Sequence, residues 1–174
     1  MKEVASVKKI KTPISNETIN SLKVGDKILI SGTIFTGRDA VLPKLKEKIA
    51  TDKIEEIPFD LKGSVIMHTA VSDAGIAPTT SNKEEIESSI YELAKAGVKI
   101  HIGKGSLSEK TKRFLNDENS IFVVSPPVAA LLTKSVKSKK VVAYKEEGIE
   151  AIFALKVEDI PGIVAIAHGK SIYQ

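Results

Sequence analysis

The chain has 174 residues, 42% of them hydrophobic and 28% charged, with a formal net charge of +4. That suits a single domain over residues 1–174 with a buried core, and the absence of any run of eighteen apolar residues excludes a transmembrane helix. With no cysteine, disulfides, thiolate metal ligands, thiol nucleophiles and iron–sulfur ligation by this chain are excluded too.

In chain order, Ile10 to Leu22 reads as an opening segment with a short helix: Thr12-Pro13 favours an extended start and Ser15 to Thr18 can cap a turn. Val24-Gly25-Asp26 is a turn. Lys27 to Phe35 is a buried strand, broken by Thr36-Gly37-Arg38-Asp39. A helix follows to Ala50, with apolar spacing at Val41, Leu45 and Ile49. Pro43 places its start at or just before Leu42, because a first-turn N–H has no intrahelical partner to lose. Ile54 to Leu61 is loop, Gly63 to Ala70 a second strand, and Ser72 to Thr80 loop again. Ser81 and Glu84 fit a capping box for a helix whose face is Ile86, Ile90, Leu93 and Ala94, stopped by Gly97.

Val98 to Ile102 is a strand, and Ser106 with Glu109 can cap a helix through Leu115. Ser120 to Val124 is a strand, Pro126-Pro127 a stop and Val128 to Val136 a helix. Lys140 to Tyr144, Ala151 to Val157 and Ile163 to Ala167 read as strands, the last ending at His168-Gly169. Alternating strands and helices in the middle, with strand-rich ends, predict an α/β fold with a mixed sheet and flanking helices.

Lys supplies 24 of the 26 cations. The densest run, Lys134, Lys137, Lys139 and Lys140, reads as a solvated helix end and turn. Aromatics make up 5% of the chain and Trp is absent, so a base-stacking nucleic-acid surface is not expected. His68 lies in an apolar strand and reads as a core histidine. His101 alternates with Ile100 and Ile102 and is expected to face solvent or a partner, while His168 reads as a turn residue. No phosphate-loop or nucleophile-elbow spacing is present.

Three segments share one design: Thr36 to Asp39, Pro78 to Lys83 and Gly103 to Ser106 each follow a strand and precede a helix. Ligands of open α/β sheets gather beyond the carboxyl ends of strands, and helix N-termini favour anions. Each segment carries a cation, Arg38, Lys83 or Lys104. Thr79 and Thr80 add hydroxyls, and Gly37, Gly103 and Gly105 let backbone approach closely. Such a set suits a small polyanion such as a dicarboxylate. Arg38 stands out because the chain has only one other Arg, Arg113, and Lys cannot offer a planar fork to a carboxylate. Asp39 and Asp73 are loop carboxylates capable of proton transfer or of capping.

Ser31-Gly32-Thr33-Ile34-Phe35-Thr36-Gly37-Arg38-Asp39, Ala77-Pro78-Thr79-Thr80-Ser81 and Ile102-Gly103-Lys104-Gly105 occur in that order. The sequence thereby resembles the β subunit of iron–sulfur (class I) fumarate hydratase and of L(+)-tartrate dehydratase. The likeness extends from Thr12-Pro13 and Val24-Gly25-Asp26 to Gly148-Ile149-Glu150-Ala151-Ile152 and Val157-Glu158-Asp159. It implies a swivelling β/β/α domain and reversible hydration of fumarate to S-malate, with tartrate as the alternative substrate. It also implies a cysteine-bearing α subunit, in an α2β2 assembly, that holds the [4Fe–4S] cluster and supplies the base. This chain alone is then inactive, free to self-associate as a homodimer, and cytoplasmic, in keeping with the lack of a signal-like apolar stretch in Met1 to Ala5.

Carried over by position, Arg38, Thr79 and Lys104 bind substrate carboxylates; Thr80 and Lys83 are expected to join them, and Arg38 and Asp39 are the expected catalytic residues. Two positions depart from the family pattern: Lys83 stands where an Arg is usual, and Leu42 where a His is usual. Those departures support an alternative, a diverged non-catalytic dicarboxylate-binding domain. A phosphohistidine carrier needs a His in a Gly/Thr-rich loop, which none of the three provides.

Overall fold

The computed structural model describes residues 7–72, 75–77, 83–125 and 133–173. The elements are β1 (Lys8–Lys11), α1 (Asn16–Ser21), β2 (Lys27–Thr36), α2 (Leu42–Ala50), β3 (Val65–Met67), β4 (Val71–Ser72), β5 (Gly75–Ile76) and α3 (Lys83–Lys95). After them come β6 (Ile100–Gly103), α4 (Glu109–Asp117), β7 (Ile121–Val124), β8 (Val136–Ala143), β9 (Ile152–Ala167) and β10 (Lys170–Ser171). Short 3₁₀ segments occupy Ile54–Glu56 and Lys145–Glu150.

β2, β3, β6 and β7 run parallel, each bonded to the next. β9 runs antiparallel to both β7 and β2, so the pairings return to their start. β1 lies parallel to the first half of β2, while β8 and β10 lie antiparallel along the two ends of β9. This is the expected α/β fold with a mixed sheet and flanking helices.

Strand alternation separates the core. Val65 and Met67 of β3, Ile100 and Ile102 of β6, Ile121 and Val123 of β7, and Ile28, Ile30 and Ile34 of β2 share one cluster with Ile19 and Leu22. The intervening Ile66 packs instead with Leu42, Leu45 and Leu93, and Phe122 with Ile86, Ile90 and Leu115. α2, α3 and α4 therefore cover the outer face of the parallel strands, while Ile19 of α1 packs with the other face.

β9 corrects the expectation of two strands. The sequence predicts separate strands at Ala151 to Val157 and Ile163 to Ala167, yet one strand of 16 residues runs through the residues between them. Asp159 takes φ 54°, and its N–H donates to Ser31 Oγ at 2.9 Å rather than into the ladder. Gly162 is required by packing, since a Cβ there would meet Val123 Cγ1 at 2.5 Å.

Val136 likewise opens β8 rather than closing a helix; residues 126–132 lie outside the described set. Lys137, Lys139 and Lys140 therefore stand exposed on a sheet-margin strand, not on a helix end. Lysine there discourages edge-to-edge pairing with other chains. Among the described residues, no helix is long and apolar enough to cross a membrane.

Candidate anion-binding site

The C-terminal ends of β2, β3 and β6 lie side by side, and the segments Thr36 to Asp39 and Gly103 to Ser106 leave from β2 and β6. Arg38 follows β2 directly. The Gly37 N–H donates to Met67 O at 3.1 Å, joining that exit to β3. The His68 N–H donates to Ile102 O at 2.9 Å, joining β3 to β6 one residue before Gly103-Lys104. Arg38 and Lys104 thus rise from one margin of the sheet, two strand spacings or about 10 Å apart. An Arg and a Lys side chain can close that span onto a small dianion.

The connection after β3 folds back on itself. β4 and β5 pair, the Ala77 N–H donates to Ala70 O at 2.9 Å, and the Thr69 hydroxyl donates to Ala77 O. The chain is therefore back beside the end of β3 at Ala77, immediately before Pro78-Thr79-Thr80. Thr79, Thr80 and Asp73 lie outside the described residues. Lys83 is the first residue of α3.

α2 begins as its proline predicts. Leu42 is its first residue, and the N–H groups of Val41 and Leu42 donate to Arg38 O at 3.1 and 3.0 Å. Arg38 is thereby fixed through its own carbonyl to the helix start, with Asp39 exposed beside it. Leu42, however, does not face the site. It is 3% exposed within the α2–sheet core, and its Cδ2 lies 3.0 Å from where a Cβ on Gly37 would sit. Leu42→His is accordingly expected to lower stability by about 1–3 kcal/mol, the cost of an unpaired buried polar group, in urea unfolding at pH 7.

Lys104 is exposed and has no ion-pair partner among the described residues. Gly105 takes φ +87° with open space around it, so the backbone turns sharply past the lysine. α4 is capped by Ser108, not Ser106, whose expected role is thus corrected: Ser108 Oγ accepts from the Thr111 N–H at 3.2 Å.

Two features escaped the sequence. Glu150, in the 3₁₀ segment before β9, meets Arg38 Nη2 through Oε2 at 3.4 Å and accepts from the Ala40 N–H through Oε1 at 3.2 Å. It belongs to the Gly148-Ile149-Glu150 fragment, but no spacing rule links it to an arginine 112 residues away. The second feature lies beneath the site. His101 is fully buried rather than facing solvent, with its Nδ1 3.3 Å from Nε2 of the equally buried His68. Their other ring nitrogens, His68 Nδ1 and His101 Nε2, have no hydrogen-bond partner among the described residues. Desolvation holds His68 down at about 4. It pushes His101 well below the ordinary value as well, with the neighbouring His68 adding to the effect.

The family model described as fumarase C-terminus matches residues 1–174. The chain belongs to this fumarase C-terminus family. It is 32% identical to the putative L(+)-tartrate dehydratase subunit beta of Methanocaldococcus jannaschii, over 92% of this chain and 88% of that one. It is 31% identical to the L(+)-tartrate dehydratase subunit beta of Escherichia coli, over 92% and 84%. The putative fumarate hydratase class I of Geobacillus stearothermophilus is 32% identical over 95% of this chain, which spans only 33% of that protein.

The chain carries no thiolate ligand for an iron–sulfur cluster. It has no cysteine, and among the described residues no three His, Asp or Glu side chains gather where they could hold a metal ion.

Proposed function

We propose that this chain is the β subunit of an iron–sulfur hydro-lyase that reversibly hydrates fumarate to S-malate. The observation that carries the reading is the placement of Arg38 and Lys104 beyond the ends of β2 and β6, on either side of the end of β3. In this reading Arg38, Thr79, Thr80, Lys83 and Lys104 hold the two carboxylates. A proton is lost from or added to the carbon beside one carboxylate, which takes up carbanion charge, and fixed cations there stabilise it. Arg38 and Asp39 are the catalytic residues of this chain in this reading. The [4Fe–4S] cluster and the principal base are assigned to a cysteine-bearing α subunit, in an α2β2 assembly in the cytoplasm.

L(+)-tartrate is the second substrate reading. It is favoured by the names of relatives matched over most of their own length, which are tartrate dehydratase β subunits. Both substrates are small dicarboxylates, so the same cation set serves either.

The test is anaerobic activity toward fumarate, S-malate and the tartrates. The full chain is assayed alone and after co-expression with the cysteine-bearing chain encoded nearest to it, with the cluster reconstituted. Activity is expected only in the complex. A stable, cluster-loaded complex that binds dicarboxylate without turning it over would instead establish the non-catalytic binding domain.

A further inference from the structure

We infer that Glu150 is a positioning residue that sets the orientation of the Arg38 guanidinium toward the anionic ligand. This rests on the proposed reading of Arg38 as a carboxylate-binding residue and extends it to the group that aims it.

A long arginine side chain in a loop loses entropy when a ligand fixes it, and binding weakens by that cost. Holding it beforehand in its bound orientation removes the cost. Glu150 is built for this. Its carboxylate grips two points of one loop, Arg38 Nη2 at 3.4 Å and the Ala40 N–H at 3.2 Å. The guanidinium is thus referenced to the backbone that carries it. Among the described residues a single terminal nitrogen is engaged, and a guanidinium has five N–H donors in a fixed fork, which leaves donors for a ligand carboxylate.

Glu150 is itself held from both sides. Ala151 and Ile152, which follow it, are 0% and 1% exposed, and Ile152 packs in the same core as Leu42 and Leu45 of α2. Upstream, Glu147 pairs with Lys44 of α2 at 2.8 Å. Gly148 takes φ 61° and ψ −123°, a conformation open to glycine. The 3₁₀ segment is therefore pinned to α2 at one end and to the core at the other. The side chains of Arg38 and Glu150 are 26% and 28% exposed, so the pair is sheltered yet reachable by a ligand.

Glu150→Gln separates positioning from plain structure. The amide oxygen can still accept from the Ala40 N–H, so the loop and Tm are kept, but the charge-assisted bond to Arg38 is lost. In the complex with the cysteine-bearing partner, Glu150→Gln is expected to raise KM about tenfold with kcat changed less than about threefold, the mark of lost uniform binding. In an Arg38→Ala background the same change should have no further effect. A second readout uses the full chain alone. With only two arginines, its side-chain Nε–H spectrum holds two signals. Glu150→Gln should move and sharpen that of Arg38 and leave that of exposed Arg113 unchanged. A KM within twofold of wild type, an unmoved Arg38 signal, or an undiminished effect in the Arg38→Ala background each overturns the inference. Failure of the underlying reading looks different: Arg38→Ala itself then leaves kcat/KM unchanged for every dicarboxylate.

Discussion

Arg38→Ala in the assembled complex is expected to lower kcat/KM for the preferred dicarboxylate by about 2–5 kcal/mol, roughly thirty- to several-thousand-fold, because it leaves a bound carboxylate without its charged partner. Stability should hardly change. The guanidinium is partly exposed and its ion pair with Glu150 spans 3.4 Å, and such pairs are worth 0–1 kcal/mol, so Tm should move by less than about 4 °C. That contrast is the diagnostic, since a structural arginine would shift Tm and activity together. Arg38→Lys sharpens it. The charge stays, but the fork and its bond to Glu150 go, so only part of the loss should be recovered. Steady-state kinetics of the three complexes, with melting curves of the same preparations, check the prediction. Wild-type kcat/KM in Arg38→Ala would sink the anion-site reading.

Much of this site was legible because its signals are local. A strand, a Gly-Arg pair and a first-turn proline place Arg38 at a helix start, and α2 begins where Pro43 requires. Lys104 between two glycines after Ile100–Ile102 is equally local. What the sequence could not show is contact across it. Glu150 reaches Arg38 through a 3₁₀ segment whose glycine adopts a special backbone conformation, and periodicity carries no trace of that. Leu42 reads as a replaced site residue, yet it faces the core because helical rotation turns it toward Leu45 and Ile66.

The errors in the fold have equally particular causes. β9 contains Pro161-Gly162 between the two expected strands, and the Val123 side chain of β7 packs where a Cβ on Gly162 would lie. Val136 to Lys140 shows no apolar alternation because β8 lies at the sheet margin and its lysines face solvent. His101 breaks an apolar strand at a position where alternation suggests solvent. The helix layer covers that face, so the imidazole is buried with His68 as its partner.

That pair makes the second large prediction, loss of stability in acid. Above pH 6.5 both imidazoles are neutral in the folded and unfolded chain. Below it, the unfolded chain takes up protons that the buried pair refuses, because burial penalises a charge there. Stability is therefore present at neutral pH and lost as pH falls. For His68, held at about 4 against an ordinary 6.5, the loss between those pH values is about 3 kcal/mol. His101, depressed by burial and by His68, adds to it. The double variant His68→Leu/His101→Leu removes both titrating groups and their unpaired ring nitrogens. Replacing both partners of a buried polar pair costs little, so its stability at pH 7 should stay near that of wild type. Urea unfolding from pH 7 to pH 4.5 should then show wild type falling faster than the variant. All other titrating groups are common to the two proteins, so their contributions cancel in the difference. Parallel curves would mean that the imidazoles acquire protons without unfolding the chain, and that the helix–sheet interface over β3 and β6 opens locally to admit water.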